Sequence, residues 1–366
     1  MSLSALLGQP RASSLLGGAL ASGRVHHAYL FAGPPGVGKT LAAKLLAQAL
    51  NCESPAAVDL AKRGAFLDEP CGACPSCRRI SDDVKRHAHP LVLWVDTEAA
   101  MQAAGLYQPE GERSASRAVG VRLIRELVIP RLALKAMGGR RKVCIVRDVE
   151  MTEAAQNSFL KTLEEPPPDT TFVLLSSMPD ALKATIRSRC LRVTFQPLPL
   201  ELVAERVQKA RGLGAEEARL LAALAGGSLG AALEIDPKTL AKRREWIAAF
   251  SRLAGDDYAG WLGLASALGD RPTAADATEL LDTCETWMHD VMRVAAGAEP
   301  SVNVDLAREA GALADRLGVE GSLFRLGVLE RARHAIDGNA QPRLQLERAF
   351  LAFCGIEALS LASEAA

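Results

Sequence analysis

A glycine-rich segment near the amino terminus has the residue types and spacing of a phosphate-binding loop. Its residues are Gly33, Pro34, Pro35, Gly36, Val37, Gly38, Lys39 and Thr40. In the pattern G-x-x-x-x-G-K-T, backbone amides surround a polyphosphate, the lysine reaches the terminal phosphates and the threonine hydroxyl binds magnesium. The sequence therefore predicts a site for ATP or ADP with Mg²⁺.

A second segment lacks the carboxylate that ATP hydrolysis requires. Hydrolysis normally uses an acid at the end of a neighbouring strand to hold magnesium, and an adjacent acid helps to activate water. Here the apolar run 143–146 is followed by Arg147 and Asp148. Arg147 brings positive charge to the position of a cation, and Asp148 is shorter than the usual glutamate. We expect nucleotide binding without appreciable turnover. The alternative is a one-residue shift that lets Asp148 hold the metal.

Four of the eight cysteines have the spacing of a metal site. Two residues separate each of Cys71, Cys74 and Cys77 from the next, and Cys52 lies upstream. Thiolates spaced in this way favour tetrahedral zinc, and four protein ligands leave no position for water. We predict a structural Zn²⁺ module at about residues 52–77, with a thiol–disulfide motif as the alternative. The remaining cysteines are expected to be small core residues: Cys144, Cys190, Cys284 and Cys354.

Composition limits the classes of protein to which the chain can belong. The 43 basic and 43 acidic side chains give a formal net charge of zero, whereas a protein that binds DNA alone is more often basic. Aromatic residues make up only 4%, which argues against a surface that stacks single-stranded bases. No apolar run reaches the roughly 18 residues of a membrane span, and the first residues do not resemble an export signal. We expect a cytoplasmic protein without membrane contact.

Short apolar runs alternate with helical stretches in the first 197 residues. The runs predict five strands, at residues 29–32, 91–95, 143–146, 172–175 and 191–195. Helices are predicted at 121–129 and 152–165, each ending before a proline. This alternation predicts an α/β domain with a mainly parallel sheet that is covered on both faces. Beyond about Pro197 the strand pattern stops, and residues 198–236 and 237–366 predict two helical domains.

Two further segments carry a resemblance to a known family. Residues 157–167 read NSFLKTLEEPP, and Ser188-Arg189-Cys190 follows before the last strand. Together with the phosphate loop and the cysteine module, they resemble the clamp-loader branch of the AAA+ ATPases, most strongly over the first 235 or so residues. The resemblance implies an AAA+ domain at 1–197, a helical lid at 198–236 and a helical collar for oligomerisation at 237–366.

Within this family the chain resembles the bacterial delta-prime group. The gamma/tau motors have Asp-Glu where this chain has Arg147-Asp148, and a lid arginine where it has Gly230. The resemblance implies a stator of the DNA polymerase III clamp loader, with Arg189 acting as an arginine finger on a neighbour's ATP. The implied partners are gamma/tau and delta subunits, with the sliding clamp and primed DNA contacted through the complex.

Two other functions stay open at this point. The first is an ATP-hydrolysing motor subunit of the gamma/tau kind. The second is a zinc-containing adaptor that binds nucleic acid, because Arg78, Arg79, Lys85 and Arg86 follow the cysteine module. Such a cluster of charge is more often a solvated surface.

Overall fold

Five parallel strands form one sheet in the amino-terminal part of the chain. The computed structural model describes residues 3, 6–82, 89–103, 105, 107, 119–133, 140–147, 151–253, 258–266, 268, 269 and 271–353. The strands are β1 (Ala28–Ala32), β2 (Val92–Val95), β3 (Lys142–Val146), β4 (Thr170–Ser176) and β5 (Leu191–Thr194). Their order across the sheet is β2-β3-β4-β1-β5. Each predicted strand is confirmed to within two residues at either end.

The sheet is buried on both faces, as the continuous apolar runs predict. Tyr29 and Phe31 of β1 point into one core, which the first two helices of the chain complete. Leu30 of β1 and Phe172 of β4 belong to a second core on the opposite face. Because neighbouring side chains along a strand point to opposite faces, one strand supplies both cores.

Nine helices accompany the strands within the described part of residues 1–187. They are α1 (Pro10–Ala21), α2 (Lys39–Asn51), α3 (Pro55–Lys62), α4 (Pro75–Ser81), α5 (Glu98–Ala103), α6 (Val121–Leu123), α7 (Ile129–Ala133), α8 (Glu153–Glu164) and α9 (Ala184–Arg187). The predicted helix at 152–165 is confirmed as α8. The side chain of Thr152 accepts a hydrogen bond from the amide of Ala155 and so caps the first turn of α8.

Pro130 does not end the helix before it, contrary to the prediction. A π-helical turn, Ile124–Val128, joins α6 to α7, and the amide of Ile129 donates to the carbonyl of Ile124. The regular ladder of i→i−4 bonds is therefore already interrupted when Pro130 is reached. The missing N–H of the proline then removes no bond on which a regular helix depends.

Beyond β5 the described residues form helices and the segments that connect them, and none of these residues lies in a strand. The helices are α10 (Leu200–Arg211), α11 (Ala215–Leu224), α12 (Leu229–Glu234), α13 (Pro237–Arg252), α14 (Tyr258–Ser266), α15 (Ala274–Ala295), α16 (Ala307–Asp337) and α17 (Pro342–Phe353). The chain divides into two units, one comprising residues 1–203 with 227–231 and the other comprising 204–226 with 232–366. The division into domains at 197 and 236 stays a prediction. Within the described residues, no helix is both long enough and apolar enough to cross a bilayer.

A buried carboxylate organises the second unit. Asp290 on α15 is fully buried and accepts hydrogen bonds from the backbone amides of Ser301 and Asn303, at 2.6 Å each. The side-chain oxygen of Asn303 in turn accepts from Arg243 of α13, at 2.6 Å. Burial raises the pKa of Asp290, but the hydrogen bonds from Asn303 and Ser301 outweigh it and leave the pKa below its usual value. The carboxylate thus fixes the segment that precedes α16 against α13 and α15.

We predict that Asp290→Asn destabilises the protein by about 2–4 kcal/mol, because an amide group would place donors against donors in a buried site. Asp282→Asn is the matched control, since Asp282 lies on the same helix but its side chain is 63% exposed and pairs with Arg333. Its cost should not exceed about 1 kcal/mol. Denaturant unfolding followed by circular dichroism measures both, and equal effects would contradict the prediction.

The same variant should change how stability depends on pH. A carboxyl group whose pKa is lowered by folding stabilises the protein above its unfolded pKa of about 3.9, and this contribution is lost as the pH falls through the folded value. The difference in unfolding free energy between the wild type and Asp290→Asn should therefore be largest near neutral pH and shrink below about pH 4. A constant difference from pH 7 to pH 3 would show that the charge of Asp290 is not what stabilises the unit.

Candidate functional site

The phosphate loop follows β1 directly, and α2 begins at Lys39, the seventh residue of the loop. The amide of Gly33 donates to the carbonyl of Ser176, at 3.2 Å, so the loop leaves the sheet beside β4. Gly38 has a φ of 104° in the left-handed region and immediately precedes the helix. The first turn of α2 therefore presents its free amides at the loop, which is the arrangement that binds phosphate.

Lys39 is buried within the loop that contains it. Its Nζ donates to the carbonyl oxygens of Gly33, at 2.5 Å, and Pro34, at 2.9 Å. These contacts hold the ammonium group where the loop would surround a polyphosphate. Thr40 follows in the first turn of α2, where its hydroxyl can serve a metal ion bound to that phosphate. The geometry of the loop thus fits ATP or ADP.

A segment far along the chain packs against the middle of the phosphate loop. The amide of Gly230 donates to the carbonyl of Gly36, at 3.2 Å. Gly36 has a φ of 71°, and a Cβ there would lie 2.0 Å from Oγ of Ser228. A Cβ at Gly230 would lie 3.2 Å from Cα of Gly36. The close approach of the two backbones therefore requires glycine at residue 36 and leaves little room for a side chain at residue 230, which presents no cation to the loop.

Arg147 is paired with an acid that the sequence did not single out. It follows β3, and its Nη1 donates to Oδ2 of Asp96, at 3.1 Å. Asp96 follows β2, which lies on the side of β3 away from β1. The ion pair is thus directed away from the strand that carries the phosphate loop, and the positive charge of Arg147 is compensated. Repulsion of magnesium by Arg147 is therefore not expected, and residue 147 offers no carboxylate to a metal ion.

Asp148 lies outside the described residues, so the alternative in which it holds the metal stays untested.

Asp96 could have been noticed from its place directly after a buried apolar run. Because parallel strands end at the same edge of a sheet, Asp96 and Arg147 necessarily lie close to each other. Strand β4 lies between β1, which precedes Gly33, and β3, which precedes Arg147. Ser176, the last residue of β4, therefore lies between the phosphate loop and Arg147 at this edge of the sheet.

The four predicted metal ligands converge. The Sγ atoms of Cys52, Cys71, Cys74 and Cys77 all lie within 4.8 Å of one another, and all four thiols are free. Four Zn–S bonds of about 2.3 Å place tetrahedral sulfurs about 3.8 Å apart. The arrangement therefore fits a Zn²⁺ ion with little movement. Those residues would hold the ion, and a closed set of four ligands would give it a structural role.

Backbone amides support the cysteine cluster. The amide of Cys74 donates to Sγ of Cys71, at 3.3 Å, and the amide of Glu53 donates to Sγ of Cys74, also at 3.3 Å. The hydrogen bond from the Cys74 amide is the main cause that lowers the pKa of Cys71 to about 6, whereas burial raises the pKa of Cys77. Gln48 of α2 donates to the carbonyl of Cys77, at 2.8 Å, and so fixes α4 to α2.

Three of the cysteines expected in the core are confirmed there. Cys144, Cys190 and Cys284 are buried, and burial raises the pKa of each. Cys354 lies outside the described residues.

Arg189 lies between α9 and β5, with 35% of its side chain exposed. Its Nη2 donates to Oε1 of Glu164, at 2.6 Å, and its Nη1 donates to the carbonyl of Thr185, at 3.0 Å. Glu164 is the last residue of α8. The sequence singled out the motif that contains Glu164 but did not identify it as a partner of Arg189. That contact depends on the packing of α8 beside α9, which no local pattern encodes.

The family to which the chain belongs is shown by comparison with known proteins. The family described as "DNA polymerase III, delta subunit" matches residues 8–199, more than half of the chain. The chain belongs to this family. The resemblance to subunits of the DNA polymerase III clamp loader, predicted from the phosphate loop, the cysteines and the motifs near Glu164 and Arg189, is thereby confirmed.

Relatives among the polymerase III subunits include both a tau and a delta-prime protein. The tau subunit of Escherichia coli (strain K12) is 33% identical over 242 residues, which are 64% of this chain and 32% of tau. The delta-prime subunit of Bacillus subtilis (strain 168) is 32% identical over 215 residues, which are 58% of this chain and 55% of that protein. The chain thus spans about a third of the length of the tau relative.

A solved structure shares the fold. A gamma subunit-related protein of DNA polymerase III from Thermotoga maritima superposes with a TM-score of 0.50 at 18% identity, over 94% of this chain and 99% of that one. The chain therefore shares with that protein the fold of a parallel α/β sheet followed by helices.

Proposed function

We propose that the chain is a delta-prime-like stator of the DNA polymerase III clamp loader, which helps to load the sliding clamp onto primed DNA. The observation that carries this proposal is Arg147, which stands at a strand end where a motor needs a carboxylate and is paired with Asp96. A subunit of this kind contributes to hydrolysis by lending Arg189 to the ATP of a neighbour. Gamma/tau and delta subunits are the proposed partners.

The intact phosphate loop supports binding of ATP or ADP with Mg²⁺ to this chain. Lys39 and Thr40 are in place, and the first turn of α2 offers its amides. Neither Arg147 nor Gly230 supplies what a motor has at these positions. The proposed site therefore holds a nucleotide without turning it over, and Zn²⁺ in the cysteine cluster stabilises the adjacent module.

Assembly is proposed to use the helices after residue 237. Leu323 and Phe324 of α16 are both exposed, and exposed large apolar side chains on one helix suit contact with another subunit. The DNA and the clamp would be reached through the complex, since the chain carries no net charge.

The runner-up is an active gamma/tau-like motor. Two observations favour it, namely the intact phosphate loop and the 33% identity with the tau subunit of Escherichia coli. The zinc adaptor that binds nucleic acid has weaker support, since Arg78 and Arg79 of its basic cluster are exposed, as they would be in the solvated surface that such a cluster more often forms.

The first prediction from the proposed function distinguishes a stator from a motor. The isolated chain should bind ATP or ADP but show no hydrolysis above background, because residue 147 supplies no carboxylate to hold magnesium. Lys39→Ala should weaken nucleotide binding by at least about tenfold, because it removes the charge that reaches the terminal phosphates. Calorimetric titration and a phosphate-release assay measure the two properties. Magnesium-dependent hydrolysis that Lys39→Ala abolishes would place the chain among the motors.

The second prediction concerns the cysteine cluster. Protein purified without added metal should contain about one equivalent of zinc, because four converging thiolates form a closed site. Cys74→Ser should lose the metal and lower the midpoint of thermal unfolding. Cys144→Ser is the control, because Cys144 is buried in β3 away from the cluster and should leave the zinc content unchanged. Full zinc content in Cys74→Ser would defeat the assignment.

The third prediction concerns Arg189. In the assembled clamp loader, Arg189→Ala should slow hydrolysis at the neighbouring site by on the order of 10³-fold, because the transition state loses a charge-assisted contact. Other motor sites keep their own arginines, so the ATPase rate of the whole complex should fall only in part. Arg189→Lys should restore little, since an ammonium group lacks the planar fork of guanidinium.

Arg187→Ala is the matched control for Arg189. Arg187 lies two residues away, has 33% of its side chain exposed and pairs with an acid, Asp180. Its loss should leave both assembly and hydrolysis near the wild-type level. If Arg189→Ala assembles and the complex loads clamps at the normal rate, the proposed role as a stator with an arginine finger is wrong.

A further inference from the structure

Glu164 holds the side chain on which the proposed function depends. Its Oε1 accepts a hydrogen bond from Nη2 of Arg189, at 2.6 Å, while the carbonyl of Thr185 accepts from Nη1, at 3.0 Å. The two terminal nitrogens of the guanidinium are thus fixed by two different elements, α8 and α9. About a third of the side chain still remains exposed, so the group is restrained without being enclosed.

Helix stability does not explain an acid at this position. Glu164 is the last residue of α8, and negative charge at the carboxyl end of a helix is unfavourable to the helix dipole. Glu165 follows it, so two acids stand where a cation would be preferred. The guanidinium of Arg189 compensates one of them directly. The contact with Arg189 is therefore what makes glutamate suitable at residue 164.

We propose that Glu164 is a positioning residue for Arg189. An arginine side chain has many rotamers, and holding a catalytic group near its working position before the partner arrives removes much of the entropic cost of ordering it. Glu164 and the carbonyl of Thr185 provide that restraint. The inference depends on the proposed function, because it assigns Glu164 a role only if Arg189 acts on a neighbour's nucleotide.

The exposure of the pair predicts where the effect is seen. Glu164 is 48% exposed, and ion pairs this accessible contribute little to folding. Loss of the carboxylate should therefore leave stability and assembly almost unchanged. What it should change is the fraction of time that the guanidinium spends in the productive orientation, which affects kcat and not KM.

The test uses the clamp loader reconstituted with its motor subunits and ATP, and follows the hydrolysis phase that Arg189→Ala removes. Glu164→Ala should lower kcat for this phase by about tenfold and leave KM unchanged. Glu164→Gln should restore kcat to within about twofold, because the amide oxygen can accept the same hydrogen bond from Nη2. Glu153→Ala is the control, since Glu153 lies on the same helix in a similar exposed pair with Lys183, and it should have no effect.

The outcomes separate this inference from the proposed function. If Arg189→Ala itself has no effect on hydrolysis, the proposed function fails. If Arg189→Ala slows hydrolysis but Glu164→Ala does not, or speeds it up, the finger stands and the inference is overturned. Glu164→Gln as slow as Glu164→Ala would also overturn it, since the hydrogen bond would then not be what positions Arg189. The double variant should be no slower than Arg189→Ala alone, and a further loss would show that Glu164 acts elsewhere.

Discussion

Because its five strands run parallel, the sheet brings the carboxyl ends of all of them to one edge, and the strand order then decides which groups can meet. The phosphate loop follows β1 and Arg147 follows β3, and β4 lies between these two strands. Asp96 follows β2, one strand further out. The distance between the phosphate loop and Arg147 is thus set by β4, and the contact of Arg147 with Asp96 is set by direct pairing of β2 with β3.

The Arg147–Asp96 pair balances the charge of two residues at this edge of the sheet. A carboxylate at residue 147 would lie beside that of Asp96, and two acids so close would repel each other unless a cation lay between them. With arginine, the charges balance within the protein itself. The pair is partly exposed, so its contribution to folding is modest. Its main consequence is that the positive charge of Arg147 is balanced within the protein, and residue 147 itself offers no carboxylate to a metal ion.

The sequence was sufficient for features that depend on local pattern. Strands buried on both faces are read as continuous apolar runs, which is why all five were found, and the phosphate loop and the cysteines are recognised by spacing. The contacts of Asp96 and Glu164 were missed because each joins residues that are far apart in the chain. The π-helical turn before Pro130 was missed for a different reason, since a proline ordinarily ends a regular helix and the sequence shows no sign of the wider turn. Gly230 was noticed as a missing arginine, but its contact with Gly36 needed the fold.

In the proposed stator, the parts of a catalytic site are separated in a way that the fold permits. The carboxylate that would hold magnesium for this chain's own nucleotide would follow β3, at residue 147. Arg189, in contrast, precedes β5, the edge strand on the opposite side of the sheet from β3. Arg189 depends on α8 and α9 for its contacts, and neither Arg147 nor Asp96 takes part in them. Replacement of the carboxylate at 147 therefore leaves the support of Arg189 intact. A subunit of this kind can lack turnover of its own nucleotide and still present a guanidinium to a neighbour, because residue 147 follows a strand of the sheet whereas Arg189 is held by two helices.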